Sequence, residues 1–193
     1  MLPVEQPSVT TALDSIYSEL ATTGAAISAH NGEELDRAAA SLRDARRVFT
    51  LGAGRSGIAL DMTAMRLMHL GLTVHVVGEV TAPAIEPGDA LLVASGSGTT
   101  EGIARAVRTA RDAGASTIAI TADATSVIAE LSDVTIVVPA ARKLDRDSAS
   151  SVQYAGSLFE QSVAIIGDGL FHCLWIASGQ TADELWPRHS NLE

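Results

Sequence analysis

Only one cysteine occurs among the 193 residues, and aromatic residues make up no more than 4%. Cys173 lies in the apolar run GLFHCLWIA with nothing to pair with, which excludes a disulfide within the chain and points to a buried thiol and a reducing, cytoplasmic setting. With few aromatics and 47% hydrophobic residues, the core must be filled by Ala, Val, Ile and Leu, the mix of a sheet covered by helices on both faces. Basic charge is scarce as well. The 13 Lys and Arg residues are scattered against 23 Asp and Glu, and the net charge of −10 offers no field for nucleic acid. No run of about eighteen apolar residues occurs, and the start, MLPVEQPSV, has no basic segment followed by an apolar one, so neither membrane spanning nor secretion is expected. Histidines at metal-ligand spacing, HxxxH or HxH, are missing too, and no metal is expected.

The length fits one domain spanning residues 1–193, with N-terminal helices over about 1–45 and a sheet core with a C-terminal helix over about 46–193. Val9, Leu13, Ile16, Leu20 and Ile27 recur at helical spacing over 9–29, and a second helical pattern covers 33–45. Apolar runs then alternate with amphipathic segments. RRVFTLG, TVHVVG, DALLVAS, STIAIT and DVTIVVP read as five strands, and helices are predicted over 58–70, 102–113 and 126–131. This βαβ rhythm predicts an α/β fold of three layers around a doubly wound five-stranded parallel sheet with extra N-terminal helices. After Pro139 the polar stretch ARKLDRDSASSVQ reads as a loop over the sheet, and a long helix over 154–178 ends at Gly179.

Two loops stand at strand ends. The first strand runs into Gly52-Ala53-Gly54-Arg55-Ser56-Gly57 and the third into Ser95-Gly96-Ser97-Gly98-Thr99-Thr100, each followed by a helix. That edge is where doubly wound sheets bind ligands. Glycines let the backbone approach an anion, helix-start N–H groups point at it, and hydroxyls add neutral donors, which suits a phosphate in an acidic protein. The first loop also fits the GxGxxG dinucleotide pattern, with Glu79 following Gly57 by about the twenty residues at which a ribose-binding acid falls. A dinucleotide needs only one such turn, however, and the hydroxyl-rich second loop is then left without a role; no cofactor is expected.

The SGSGTT loop with the earlier GAGRSG turn resembles the sugar-phosphate signature of SIS domains. Within that family, Met65-Arg66-Leu67-Met68-His69-Leu70-Gly71, the segment VVGEVTAPAI, Leu158-Phe159-Glu160 and the ending Arg188-His189-Ser190-Asn191-Leu192-Glu193 are similar to the 6-phospho-3-hexuloisomerase group. The resemblance runs from about residue 10 to the end. It implies a flavodoxin-like strand order and conversion of D-arabino-3-hexulose 6-phosphate to fructose 6-phosphate, the second step of ribulose monophosphate formaldehyde fixation. It also implies that Ser56, Ser95, Ser97, Thr99 and Thr100 hold the phosphate. Thr99 departs from relatives that often carry an acid there, and 139–153 shows no family signature.

Moving a carbonyl between adjacent sugar carbons takes a proton from one and returns it to the other, so a carboxylate or imidazole must sit over that bond. The resemblance places the base on the long helix, which selects Glu160. His189 is the second candidate, acting in its own or a neighbouring subunit, because tails in SIS assemblies often reach a neighbour. Arg55 pairs with phosphate or faces a subunit interface, and the sequence leaves both open. His69, His75 and His172 read as packing residues. The surplus of helices over what five strands need for cover predicts a homo-oligomer, a dimer of dimers with sites near subunit interfaces. A non-catalytic sugar-phosphate sensor and an isomerase of another sugar phosphate are the alternatives. Sensors of this fold usually carry a DNA-binding domain, for which the acidic N-terminal helices leave no room.

Overall fold

Five short strands carry the apolar runs: β1 Val48–Gly52, β2 Val74–Val76, β3 Ala90–Ala94, β4 Ser116–Thr121 and β5 Val134–Val137. In the computed structural model, which describes residues 8–140 and 151–192, they pair in parallel in the order β2-β1-β3-β4-β5. Both faces of such a sheet must be dry, and the central strand shows it: every residue of Ala90-Leu91-Leu92-Val93-Ala94 is buried. Strand order reverses between β1 and β3, which opens a crevice at their carboxyl ends.

Helix α3, Arg55–Leu70, leads from β1 to β2; α4, Glu101–Asp112, from β3 to β4; and α5, Val127–Leu131, from β4 to β5. Residues 77–89 connect β2 to β3 without a helix. One layer packs α3 with the N-terminal helices α1, Val9–His30, and α2, Gly32–Asp44, and with the long α6, Ser157–Ser178, around Leu42, Leu60, Leu67, Leu92, Ile118 and Val163. The opposite layer sets α4 and α5 on Phe49, Leu91, Val93 and Ala119. Helices α3 and α6 approach so closely that a Cβ on Gly167 would lie 1.9 Å from Thr63 Oγ1. The β5 edge is closed by a side chain: Asn31, 4% exposed, donates to the Val137 carbonyl at 3.0 Å and accepts from its N–H at 2.8 Å, standing in for a strand partner.

Four details differ from the sequence reading. Helix α3 starts three residues before Ile58, at Arg55, because Gly54 turns the chain at φ 58 and puts Arg55 and Ser56 inside the first turn. Helix α6 starts three residues after Tyr154, because Gly156 adopts φ 83. The tail folds into α7, Ala182–Leu185, and a 3₁₀ turn, Trp186–Arg188, started by a reciprocal cap between Thr181 and Glu184. Cys173 is exposed rather than buried, since the apolar run GLFHCLWIA is wound into a helix whose Cys173 face turns outward. Of the expected 139–153 loop, residues 141–150 lie outside the described residues, as do 1–7 and Glu193. Among the described residues no single helix is long and apolar enough to cross a membrane.

Candidate active site

The first loop is built by a close approach. A Cβ on Gly52 would stand 2.7 Å from Gly57 Cα, so strand end and helix start touch only because both are glycine. The second loop turns at Gly98, φ 60, where a Cβ would overlap Ser126 Oγ at 1.9 Å. Ser126 caps α5, and the Ile128 N–H donates to the Gly98 carbonyl at 3.0 Å, so α5 braces the loop from behind.

Between the loops lies a cavity of about 160 Å³ lined by Gly54, Arg55, Ser56, Ser95, Ser97, Thr100, Phe159 and Glu160 among others. Three helices, α3 at Arg55, α4 at Glu101 and α6 at Ser157, begin around it. Each helix start carries a partial positive charge and N–H groups without intrahelical acceptors, so the cavity suits an anion although the whole chain is acidic. Ser95 Oγ and Thr100 Oγ1 lie 3.1 Å apart. Ser97 Oγ accepts from the Thr99 N–H at 3.3 Å and from the Thr99 hydroxyl at 3.1 Å, which leaves the Ser97 hydrogen free to donate. Thr99 itself does not line the cavity; its side chain is spent on Ser97.

Glu160 sits in the first turn of α6 with its side chain 18% exposed, and the Arg55 guanidinium donates to Glu160 Oε2. Phe159, 2% exposed, lies against the second loop, where a Cβ on Gly96 would meet its ring at 3.3 Å. The base candidate, the arginine and the hydroxyls thus share one hollow.

His189 is not brought there. Its ring stacks on His69 at 4.0 Å between centroids and lies 4.6 Å from Trp186, while Arg188 donates to the His69 carbonyl at 3.1 Å. His69 is fourteen residues beyond Arg55 along α3, about 21 Å at 1.5 Å per residue, so His189 belongs to the opposite edge of the sheet in its own chain. His69 is buried, and this, with the nearby charges of His189 and Arg66, holds its pKa below the usual imidazole value. His75 is half-buried against Phe49, and His172 is exposed on α6. Among the described residues no three His, Cys, Asp or Glu side chains cluster as metal ligands do.

Comparison with known proteins identifies the family. The sequence pattern of the SIS domain matches residues 41–165, the span from α2 through both loops to the first half of α6. A 3-hexulose-6-phosphate isomerase of Mycobacterium gastri is 48% identical over 185 residues, covering 96% of this chain and 92% of the relative. The chain belongs to the SIS-domain family, on the branch of the 3-hexulose-6-phosphate isomerases. A Bacillus subtilis member of that branch is 34% identical across 92% of this chain and 95% of its own length. A Methanococcus jannaschii crystal structure, from which the molecular function of 3-hexulose-6-phosphate isomerase was inferred, superposes with a TM-score of 0.79 at 29% identity, covering 95% of this chain and 99% of that one.

Several contributors to the site are not among the residues singled out for it from sequence. Gly156 turns the chain into α6 and packs beside Glu160, and Phe159 walls the cavity. A glycine just before the helical stretch SLFEQSVAII was the available signal for the first. Phe159 lies in the Leu158-Phe159-Glu160 run that carries the family resemblance, but by pattern alone it reads as one more core residue.

Proposed function

We propose that this chain interconverts D-arabino-3-hexulose 6-phosphate and fructose 6-phosphate, the isomerisation named for its relatives and the second step of ribulose monophosphate formaldehyde fixation. The observation that carries the reading is the meeting of three helix starts, a ring of hydroxyls and one carboxylate in a single small cavity. Ser56, Ser95, Ser97 and Thr100 hold the phosphate as neutral donors, with Thr99 orienting the Ser97 hydroxyl. Glu160 takes the proton from C2 of the 3-ketose, the C3 carbonyl becomes a hydroxyl of the cis-enediol, and return of a proton to C3 leaves the carbonyl at C2. Arg55 holds the Glu160 carboxylate over the cavity mouth.

His189 assists only from a neighbouring subunit, since its own chain keeps it at the far edge of the sheet. Apolar stripes that stand in solvent support such an assembly: Val9, Leu13 and Tyr17 on α1, and Ile58, Met62 and Met65 on α3. A homotetramer arranged as a dimer of dimers, with one SIS domain per chain and the N-terminal helices at its interfaces, buries these faces. A cytoplasmic setting fits a chain whose one cysteine has no partner.

The test is direct assay of the purified protein on a panel of ketose 6-phosphates. Fructose 6-phosphate is the expected product from the 3-hexulose. Turnover of a five- or seven-carbon sugar phosphate in its place would reassign the substrate, and binding without turnover on all of them would make the protein a sensor.

A further inference from the structure

Helix α6 begins without a side-chain cap, since its N-cap is Gly156. The position of Glu160 therefore depends on the chain that leads into the helix as well as on the bond from Arg55. That chain is tied to α1. The Glu19 carboxylate accepts from the Val152 N–H at 2.7 Å, from the Gln153 side-chain amide at 2.9 Å and from the Ser151 hydroxyl at 3.0 Å. Gln153 passes the link on, accepting at Oε1 from the side-chain amide of Gln161 at 2.9 Å, and Gln161 follows Glu160 on α6. Backbone bonds from Ser157 to Tyr154 at 3.1 Å and from Glu160 to Gly156 at 3.0 Å complete the connection.

We propose that Glu19 is a positioning residue for Glu160, and that α1 is thereby part of the catalytic apparatus rather than only a cover for the sheet. The inference rests on Glu160 being the base. Three donors converge on one side chain, and among side chains of this length only a carboxylate offers enough acceptor sites and no donor of its own. Burial works to raise the Glu19 pKa, but the bonds from Gln153, Val152 and Ser151 outweigh it and hold the group below the usual carboxylate value, so the anchor stays charged at neutral pH.

The experiment compares the full-length wild type with Glu19→Ala and Glu19→Gln, using fructose 6-phosphate as the probe in the reverse direction. Ångström-scale misplacement of a catalytic group costs up to about a hundredfold, and the expected loss in kcat for Glu19→Ala is on the order of tenfold, with KM little changed. Glu19→Gln, which keeps one oxygen for the Val152 N–H, is expected between the two. Amide hydrogen exchange at Val152 should quicken in Glu19→Ala and less in Glu19→Gln. In a Glu160→Gln background, Glu19→Ala should cause no further loss, because there is no base left to misplace. A kcat that is unchanged in both Glu19 variants, or a loss that multiplies in full with that of Glu160→Gln, overturns the positioning role. Full activity of Glu160→Gln would overturn the base assignment instead, and is distinguished by that variant alone.

Discussion

The two edges of the sheet handle polar groups in opposite ways. At the amino-terminal edge the buried carboxylate is paired off: Asp89, 1% exposed, receives Arg47 at 2.6 Å, Arg46 at 3.3 Å and the Glu86 N–H at 2.9 Å, and Arg46 and Arg47 both reach Glu86. Arg188 and the stacked histidines close the same end beneath α3. At the carboxyl-terminal edge, the Ser97 hydroxyl keeps a free hydrogen and three helix starts face a hollow. A buried charge network stabilises only if every member has its partners, whereas a binding site must keep donors for a ligand that comes and goes. Stability and function are thus separated along the strand direction, and substitutions at the two ends should behave differently.

The largest effect is expected at the stable end. Asp89→Ala removes the buried carboxylate that gathers Arg46, Arg47 and the Glu86 N–H and leaves the two arginines only the exposed Glu86, so a clear loss of stability is expected. Denaturant unfolding should show that loss, while kcat and KM of the remaining folded protein stay as they were; a large change in KM would break the division between the edges. Gly98→Ala tests it from the other side, since this loop residue is bound by sterics to α5. Left-handed backbone strain plus overlap with Ser126 is expected to cost about 2 to 4 kcal/mol and to abolish phosphate binding as well.

Ser97→Ala should leave the melting temperature nearly unchanged and raise KM about tenfold to a hundredfold, the value of one hydrogen bond of about 1.5 to 3 kcal/mol to a charged group. Unaltered KM and unaltered inhibition by inorganic phosphate would remove the loop from the site. The smallest effect is a pH dependence. His69 has its pKa depressed in the folded chain, so the unfolded chain binds more protons, and the stability this group contributes is present above pH about 6.5 and lost as pH falls. Asp89, held below the usual carboxylate range because its arginine and backbone bonds outweigh burial, loses its contribution in the same direction at lower pH. Unfolding free energy measured between about pH 7 and 5 should decline in the wild type and flatten in His69→Phe.

The five parallel strands and the two phosphate-type loops were legible because they rest on local signals, apolar runs bounded by turns and glycines where only glycine fits, whereas the strand order came from the family resemblance. Placing Ser56, Ser95, Ser97 and Thr100 on one edge follows from the βαβ rhythm alone. Glu160 needed the family resemblance, since a glutamate near a helix start has no periodicity that separates it from a solvated one. His189 was legible as a candidate but not as a distant one. Its place is decided by the T-x-x-E cap at Thr181 and Glu184, which folds the tail back beneath α3, and that cap is written in the sequence. The Glu19 contacts span more than a hundred residues of chain and leave no local trace. The exposure of Cys173 shows the same limit, because in a helix that is apolar nearly all round, the outward face depends on what packs against it.

The central claim is that proton transfer at the sugar depends on Glu160 at the carboxyl-terminal edge. Incubating fructose 6-phosphate with the protein in D₂O and following the C3 proton by NMR tests it directly. The wild type should exchange that proton for deuterium, and Glu160→Gln, which keeps the shape but is not a base, should do so about 10² to 10⁴ times more slowly with KM largely retained. Exchange that continues undiminished in Glu160→Gln would contradict the claim, and a wild type that exchanges nothing on any ketose phosphate would contradict the isomerase reading itself.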